Sequence, residues 1–211
     1  MEPFIRHRGK IATLDRANVD TDQIIPKQFL KSIRRTGFGP ALFFDWRYLP
    51  DGSPNPAFEL NQPRFAGASL LVVRNNFGCG SSREHAVWAI QQYGFRAVIA
   101  PWQMREGERI AAFAEIFRNN ATRNGLVTVE LSEPEVDTIF REVAAREGLE
   151  ATVDLERMTV TLHTPEPIEF RFSMDAAARQ TLLEGLDEIR QTLQFEADIA
   201  SFEQNHDPQM P

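Results

Sequence analysis

The sequence predicts an α/β fold with an antiparallel addition and a C-terminal helix. Three observations predict it. The apolar run Ser69-Leu70-Leu71-Val72-Val73 is short and β-branched at its end, as a buried strand is, and it is followed by Ala86, Ala89, Ile90 and Tyr93 at helical spacing. Strand and helix then alternate again, the order that builds a parallel sheet covered by helices. From Thr152 onward, apolar and polar residues alternate in three short segments, the pattern of half-buried antiparallel strands. With 211 residues, 42% of them hydrophobic, the chain can close one sizeable core, and a single domain over 1–211 is expected.

Gly9 to Leu14 reads as a first strand entering the polar stretch Asp15 to Asp22; the apolar run Gln23-Ile24-Ile25 stops at Pro26. From Thr36 to Pro63 the chain is rich in glycine, proline and aromatic residues and reads as a long excursion, with Leu42, Phe43, Phe44 and Trp46 as its apolar weight. After Val73 and the first helix, Gly94 marks a stop, and Arg96 to Ala100 is the next strand. Ile110, Phe113, Ala114 and Phe117 predict a second amphipathic helix closed by a left-handed cap near Asn124-Gly125. Leu126 to Leu131 is a third strand. Ser132 and Glu135 form a capping-box pattern ahead of Val136, Ile139, Phe140 and Val143. Thr152–Leu155, Met158–Leu162 and Ile168–Phe172 are the antiparallel strands. Leu182, Leu186, Ile189 and Leu193 predict one long helix, extended by Phe195, Ile199 and Phe202, so the C-terminal addition runs from about 150 to 205.

Charge and cysteine count exclude several functions. Lys+Arg 23 against Asp+Glu 30 gives a net charge of −7, the wrong sign for a nucleic-acid binder. No run approaches a membrane span, and the first residues lack the apolar stretch of a secretory signal. Cys79 is the single cysteine, so no internal disulfide forms and a reducing, cytoplasmic location is expected. One cysteine and four scattered histidines do not hold an iron–sulfur cluster or a structural zinc. A metal, if the chemistry needs one, belongs on another chain.

The segment Asn75 to His85, NNFGCGSSREH, is where a buried strand feeds a glycine-rich turn that opens onto a helix. Gly78, Cys79 and Gly80 form a turn suited to an anion, because glycines allow close approach and a helix N-terminus leaves donors unpaired. Arg83 adds a planar fork for a carboxylate. Each residue also has a purely structural reading: Ser81 and Glu84 fit a capping box, His85 fits helix packing, and Cys79 fits a small buried filler whose place near a helix N-terminus also permits a lowered thiol pKa. Capping does not account for Ser82 and Arg83 beside two glycines. The arginine in place of a third glycine argues against a dinucleotide fingerprint, and a small carboxylate fits better.

NNFGCGSSREHAVWAIQQYGFRAVIAP resembles the signature of isopropylmalate dehydratase small subunits and of the swivelling domain of aconitase. The segments Asn18 to Phe29, Arg35-Thr36-Gly37-Phe38-Gly39 and Phe117-Arg118-Asn119-Asn120 agree with it, in order, over nearly the whole chain. The resemblance implies a swivelling β/β/α domain of the aconitase C-terminal type, with an antiparallel addition and a C-terminal helix. It implies a heteromer with a large subunit that carries a [4Fe-4S] cluster, no cofactor on this chain, and conversion of 2-isopropylmalate to 3-isopropylmalate through isopropylmaleate in leucine biosynthesis. Carried over by position, Ser81 is the catalytic base, Ser82 and Arg83 bind substrate, and Arg35, Thr36 and Gly37 lie where the family reads the substrate's side group; Ile33, Phe38 or Leu42 are candidate apolar contacts there. The chain departs from the family's pattern between Pro101 and Phe113, where extra charged residues read as an extended helix start. That departure leaves open a related citraconate/2-methylmalate or homoaconitate hydro-lyase. A non-catalytic anion-binding or assembly module and a Cys79 thiol sensor are the readings from other classes.

Overall fold

The computed structural model describes residues 1–31, 35–81, 83–186, 192–193 and 195–205. Its centre is a mixed sheet. Strand β1 (Arg6–Leu14) serves two ladders, pairing antiparallel with β6 (Glu150–Asp154) along Arg6 to Lys10 and parallel with β2 (Leu70–Val73) along Ile11 to Leu14. Beyond β2 lies β3 (Ala97–Arg105), parallel, and then β5 (Val127–Ser132), also parallel. On the other side β6, β7 (Thr159–Leu162) and β8 (Ile168–Arg171) form an antiparallel meander. Strand β2 and the first part of β3 are continuously apolar because helices cover them. Leu70 to Val73 and Ala97 to Ala100 are fully buried, whereas β8 alternates.

Helix α3 (Glu84–Tyr93) follows β2, with Ala86, Val87, Ala89 and Ile90 buried and Gly94 as its C-cap. Helix α4 (Glu115–Asn124) ends on Gly125 in the left-handed region, as the Asn-Gly signal predicts. In α5 (Glu133–Ala145) the Glu135 carboxylate accepts from both the Ser132 N–H (2.7 Å) and its hydroxyl (2.6 Å). The excursion from Thr36 is built from short turns, among them α2 (Phe44–Arg47), and its apolar residues Phe38, Leu42, Phe43 and Phe58 are core side chains.

Three expectations are corrected. The charged residues after Pro101 do not start a helix. They extend β3 and turn at Glu106-Gly107, both at positive φ (53° and 86°), into the edge strand β4 (Glu108–Ile110). Two successive positive φ values are the signature of a two-residue hairpin turn, and with β4 exposed on both faces no alternation marks it as a strand. Consequently α4 starts at Glu115, after Ile110, Phe113 and Ala114. The long C-terminal helix is broken: α6 (Ala176–Glu184) ends on Gly185 at φ 65°, where a Cβ would strike the Pro3 nitrogen at 2.7 Å. A separate helix, α7, spans Glu196–Asn205; Ile189 lies outside the described residues. No helix among the described residues is long and apolar enough to cross a membrane.

Candidate active site

In a sheet of parallel strands the loops at the carboxyl ends converge on one edge, where such folds bind ligands. Here the chain leaving β1 and the chain leaving β2 meet. Asn18 N donates to Asn75 O (3.0 Å) and the Asn76 side-chain amide donates to Asn18 Oδ1 (2.9 Å), both asparagines holding left-handed φ near 56°. The glycine turn then threads between two segments. On one side Gly78 N donates to Val19 O (2.8 Å) and Thr21 N donates to Cys79 O (2.9 Å). On the other, Phe77 N donates to Ala112 O (3.0 Å) and Ala114 N to Phe77 O (3.1 Å). The Gly78 N–H is therefore spent on Val19 rather than offered to an anion, which corrects that part of the anion-turn reading.

Both glycines adopt angles that favour glycine, φ 76° at Gly78 and 87° at Gly80. The close approach predicted at Gly78 comes from Phe117: a Cβ on Gly78 would lie 2.3 Å from its ring. Gly80 has open space, with nothing nearer than 3.4 Å.

The capping reading of Ser81 fails. Helix α3 begins at Glu84 with Arg83 as its N-cap and no side-chain cap, and the Glu84 carboxylate instead accepts from Asn124 Nδ2 (2.9 Å). Ser81 sits two residues ahead of the cap, exposed, with its carbonyl accepting from the Thr21 hydroxyl (2.8 Å). Thr21 is itself buried, so the serine hangs from a rigid peg.

Arg83 is 10% exposed and its Nη1 donates to Asp22 Oδ1. That bond and the guanidinium charge hold the Asp22 carboxyl below its ordinary pKa, so it is ionised at neutral pH. Lys27 Nζ lies 3.6 Å from the other Asp22 oxygen. One fork nitrogen is occupied; the guanidinium's remaining N–H groups are what a carboxylate would find.

Ser81 and Arg83 line one open cavity of about 220 Å³ together with Thr21, Gly80, Ile116 and Phe117. Cys79 does not line it, and burial, helped by the charge of Asp20, raises its thiol pKa. This is opposite to the lowered value a thiol sensor requires. His85 packs against Phe38 (5.2 Å between ring centroids) and Trp88 (4.7 Å), which supports its packing reading.

The structure does not bring Arg35, Thr36 and Gly37 to this cavity. They are exposed and tied to the far half of α3, where Gln92 donates to Arg35 O (2.8 Å) and accepts from Phe38 N (2.8 Å). Gln92 stands about 13 Å along the helix from Arg83. Phe38 and Leu42 are buried in the core and have no surface for a ligand. Ser82 and Ile33 lie outside the described residues.

Sequence reading missed Asp20, Thr21 and Asp22. Asp20 caps α1 (Thr21–Ile24), its carboxylate accepting from Gln23 N (2.8 Å) while Gln23 Oε1 accepts from Asp20 N (2.9 Å). The cap fixes the direction of the next two side chains, so that Thr21 holds Ser81 and Asp22 holds Arg83. The signal was the Asp-x-x-Gln spacing, a capping-box variant inside what reads as a polar loop.

Residues 1–134 match the aconitase C-terminal domain family. A 3-isopropylmalate dehydratase small subunit from Desulforapulum autotrophicum is 58% identical over 203 residues, which is 96% of this chain and 95% of that one. The chain belongs to the 3-isopropylmalate dehydratase small-subunit family. A crystal structure of 3-isopropylmalate dehydratase from Methanocaldococcus jannaschii superposes with a TM-score of 0.64, at 22% identity, over 93% of this chain and 99% of that one, so the two chains share a fold.

Within this dehydratase small-subunit fold, the β3–β4 hairpin leads into the segment beside the site. Its edge strand runs from Ile110 into Ala112 and Phe113, the segment that flanks the glycine turn. A larger cavity of about 370 Å³ lies behind α4, between Arg109, Arg118, Glu130 and Asp175. There Glu130 is already engaged by Arg109 (3.1 Å) and Arg118 (3.8 Å), so its charges serve one another, and Ser81 and Arg83 are not among its walls.

Proposed function

We propose that this chain supplies the base and the carboxylate-binding arginine of a two-subunit 3-isopropylmalate dehydratase that interconverts 2-isopropylmalate and 3-isopropylmalate through isopropylmaleate, in the cytoplasm, as a step of leucine biosynthesis. The observation that carries this reading is Ser81 and Arg83 on one open cavity, the serine free of any capping duty.

An iron–sulfur cluster does not fit this chain. It has one cysteine, and among the described residues no three His, Cys, Asp or Glu side chains gather as a metal ion would require. In this reading the [4Fe-4S] cluster that the family resemblance implies is held by the large subunit, and the steps assigned to this chain are its own. Ser81 Oγ, as an alkoxide, takes the proton from the carbon next to the one bearing the hydroxyl, the electron pair of that C–H bond forms the double bond as hydroxide leaves the neighbouring carbon, and Arg83 holds a carboxylate so that the reacting carbon stays within reach. When water adds back with the opposite regiochemistry, Ser81 returns the proton to the other carbon.

Ionising a serine sets the demand on the site. A helix N-terminus supplies up to about 2 kcal/mol in partly buried geometry. At 1.36 kcal/mol per unit, that lowers a hydroxyl pKa by about 1.5 units, and Ser81 stands ahead of the helix cap rather than on it. Arg83 and the loss of water when a partner closes over this exposed residue supply the rest, because charge-assisted hydrogen bonds strengthen in a dry site.

The test is to reconstitute the chain with its iron–sulfur large subunit and assay 2-isopropylmalate, 2-methylmalate and homoaconitate side by side. The reading expects 2-isopropylmalate to have the highest kcat/KM. Preference for either of the other two would assign the chain to a related hydro-lyase.

A further inference from the structure

Ser81 and Glu84 have the spacing of a capping box, in which the serine hydroxyl accepts from the Glu84 N–H and the Glu84 carboxylate accepts from the Ser81 N–H. Closing that box would start helix α3 two residues earlier and spend Ser81 Oγ on a backbone N–H. In the structure the box is open and Glu84 has another partner: its Oε1 accepts from Nδ2 of Asn124 (2.9 Å), at the C-terminal end of α4. The orientation of that amide is determined. Trp88 Nε1 donates to Asn124 Oδ1 (2.9 Å), and an indole N–H only donates, so the amide oxygen faces Trp88 and the NH2 group faces Glu84. Asn124 Nδ2 also donates to Asn120 O (2.9 Å), and Gln91 Nε2 donates to Asn124 O (2.7 Å). Glu84, Trp88 and Gln91 lie at i, i+4 and i+7 of α3, so one helical face converges on a single asparagine.

We propose that Asn124 is a positioning residue for the reaction: by holding Glu84 away from the Ser81 N–H, it keeps the capping box open and leaves Ser81 Oγ free to act as the base. The inference rests on the function proposed above, which makes Ser81 the base, and adds to it a residue that does not line the cavity. Two further observations favour it. Arg83, which takes the N-cap place, makes no side-chain cap, and arginine is not a capping residue. The late start is therefore the poorer one locally and is held by tertiary contacts, Thr21 on the Ser81 carbonyl and Asn124 on the Glu84 carboxylate. The core face of α3, Ala86, Val87, Ala89 and Ile90, is buried without help from Glu84, which is exposed, so the Asn124–Glu84 bond adds little to packing.

The test compares the reconstituted two-subunit enzyme carrying Asn124→Ala, Glu84→Ala or both, with 2-isopropylmalate as substrate. Losing one hydrogen bond shifts a two-way balance by about 3- to 10-fold, so Asn124→Ala is expected to lower kcat by that factor with KM changed less than about twofold. Glu84→Ala is expected to leave kcat within about twofold of wild type, since no carboxylate remains to close the box. The double variant discriminates: its kcat is expected to return to the Glu84→Ala value while its melting temperature stays as low as that of Asn124→Ala, because the Trp88 bond is still missing. Asn124→Asp keeps the acceptor for Trp88 and loses the donor to Glu84, so it is expected to show the same loss and the same rescue, and it serves where the alanine variant folds poorly. A loss of kcat that Glu84→Ala does not restore, or no loss in either Asn124 variant, overturns the assignment. A wild-type complex inert toward 2-isopropylmalate, or a Ser81→Ala enzyme with wild-type turnover, instead fails the proposed function and this inference with it, a result read before the Asn124 variants are compared.

Discussion

Ser81→Ala is expected to lower the turnover of the reconstituted enzyme by about 100- to 10,000-fold, the range that a positioned base contributes, with assembly and melting temperature unchanged. The separation of the two effects is what gives the variant its force. Were Ser81 a helix cap, its loss would cost about 1 kcal/mol of stability, and a melting shift of a few degrees would accompany any loss of rate. In the structure Arg83 is the N-cap, and Ser81 is exposed and held through its backbone carbonyl, which alanine retains. The variant should therefore fold, bind the large subunit and bind substrate while failing to move the proton. Turnover within tenfold of wild type would leave Ser81 as a loop residue.

Gly78→Ala is expected to be the most destabilising single substitution in the turn. Two costs add. The residue sits at φ 76°, which a Cβ disfavours by about 1–2 kcal/mol, and the new Cβ would lie 2.3 Å from the ring of Phe117, an overpacking cost of about 1–3 kcal/mol. For a chain of this length the sum corresponds to a fall in melting temperature of roughly 10 °C. Gly80→Ala is the control, since it has a similar φ of 87° and open space around the added atom. Thermal denaturation of both variants, and of Gly78→Ala combined with Phe117→Leu, separates the terms. Gly78→Ala should lose more than Gly80→Ala, and the second substitution should recover part of the difference. Equal losses at the two glycines would show that the Phe117 contact carries no weight.

Much of this molecule was legible in its sequence because the informative residues act locally. Leu70 to Val73 reads as a buried strand since parallel strands are covered on both faces, and Gly94 and Gly125 end helices where they were expected to. What was not legible depended on tertiary context. The Ser-x-x-Glu pattern at Ser81 satisfies a capping box, yet Asn124 draws Glu84 away and Thr21 draws the serine's carbonyl, so the helix starts later. The Arg105 to Arg109 segment is rich in helix formers, but Glu106-Gly107 turns it back as a hairpin on an exposed edge. Gly185 interrupts a continuous helical period because the N-terminal Met1 to Pro3 segment lies where a side chain would go. At the site, Ser81, Arg83 and the glycines were visible as a contiguous motif. Their supports Thr21 and Asp22 were not, because 60 residues of chain separate Thr21 from the serine it holds.

The central claim is that this chain carries half of an active site, a hydroxyl and a guanidinium on an open cavity that act only when a second subunit covers them. The measurement that tests it most directly is turnover of 2-isopropylmalate by this chain alone, by the large subunit alone, and by the two mixed. The account predicts conversion only in the mixture, rising with added large subunit to a plateau set by stoichiometry. Conversion by this chain alone, at a rate comparable to the mixture, would contradict it.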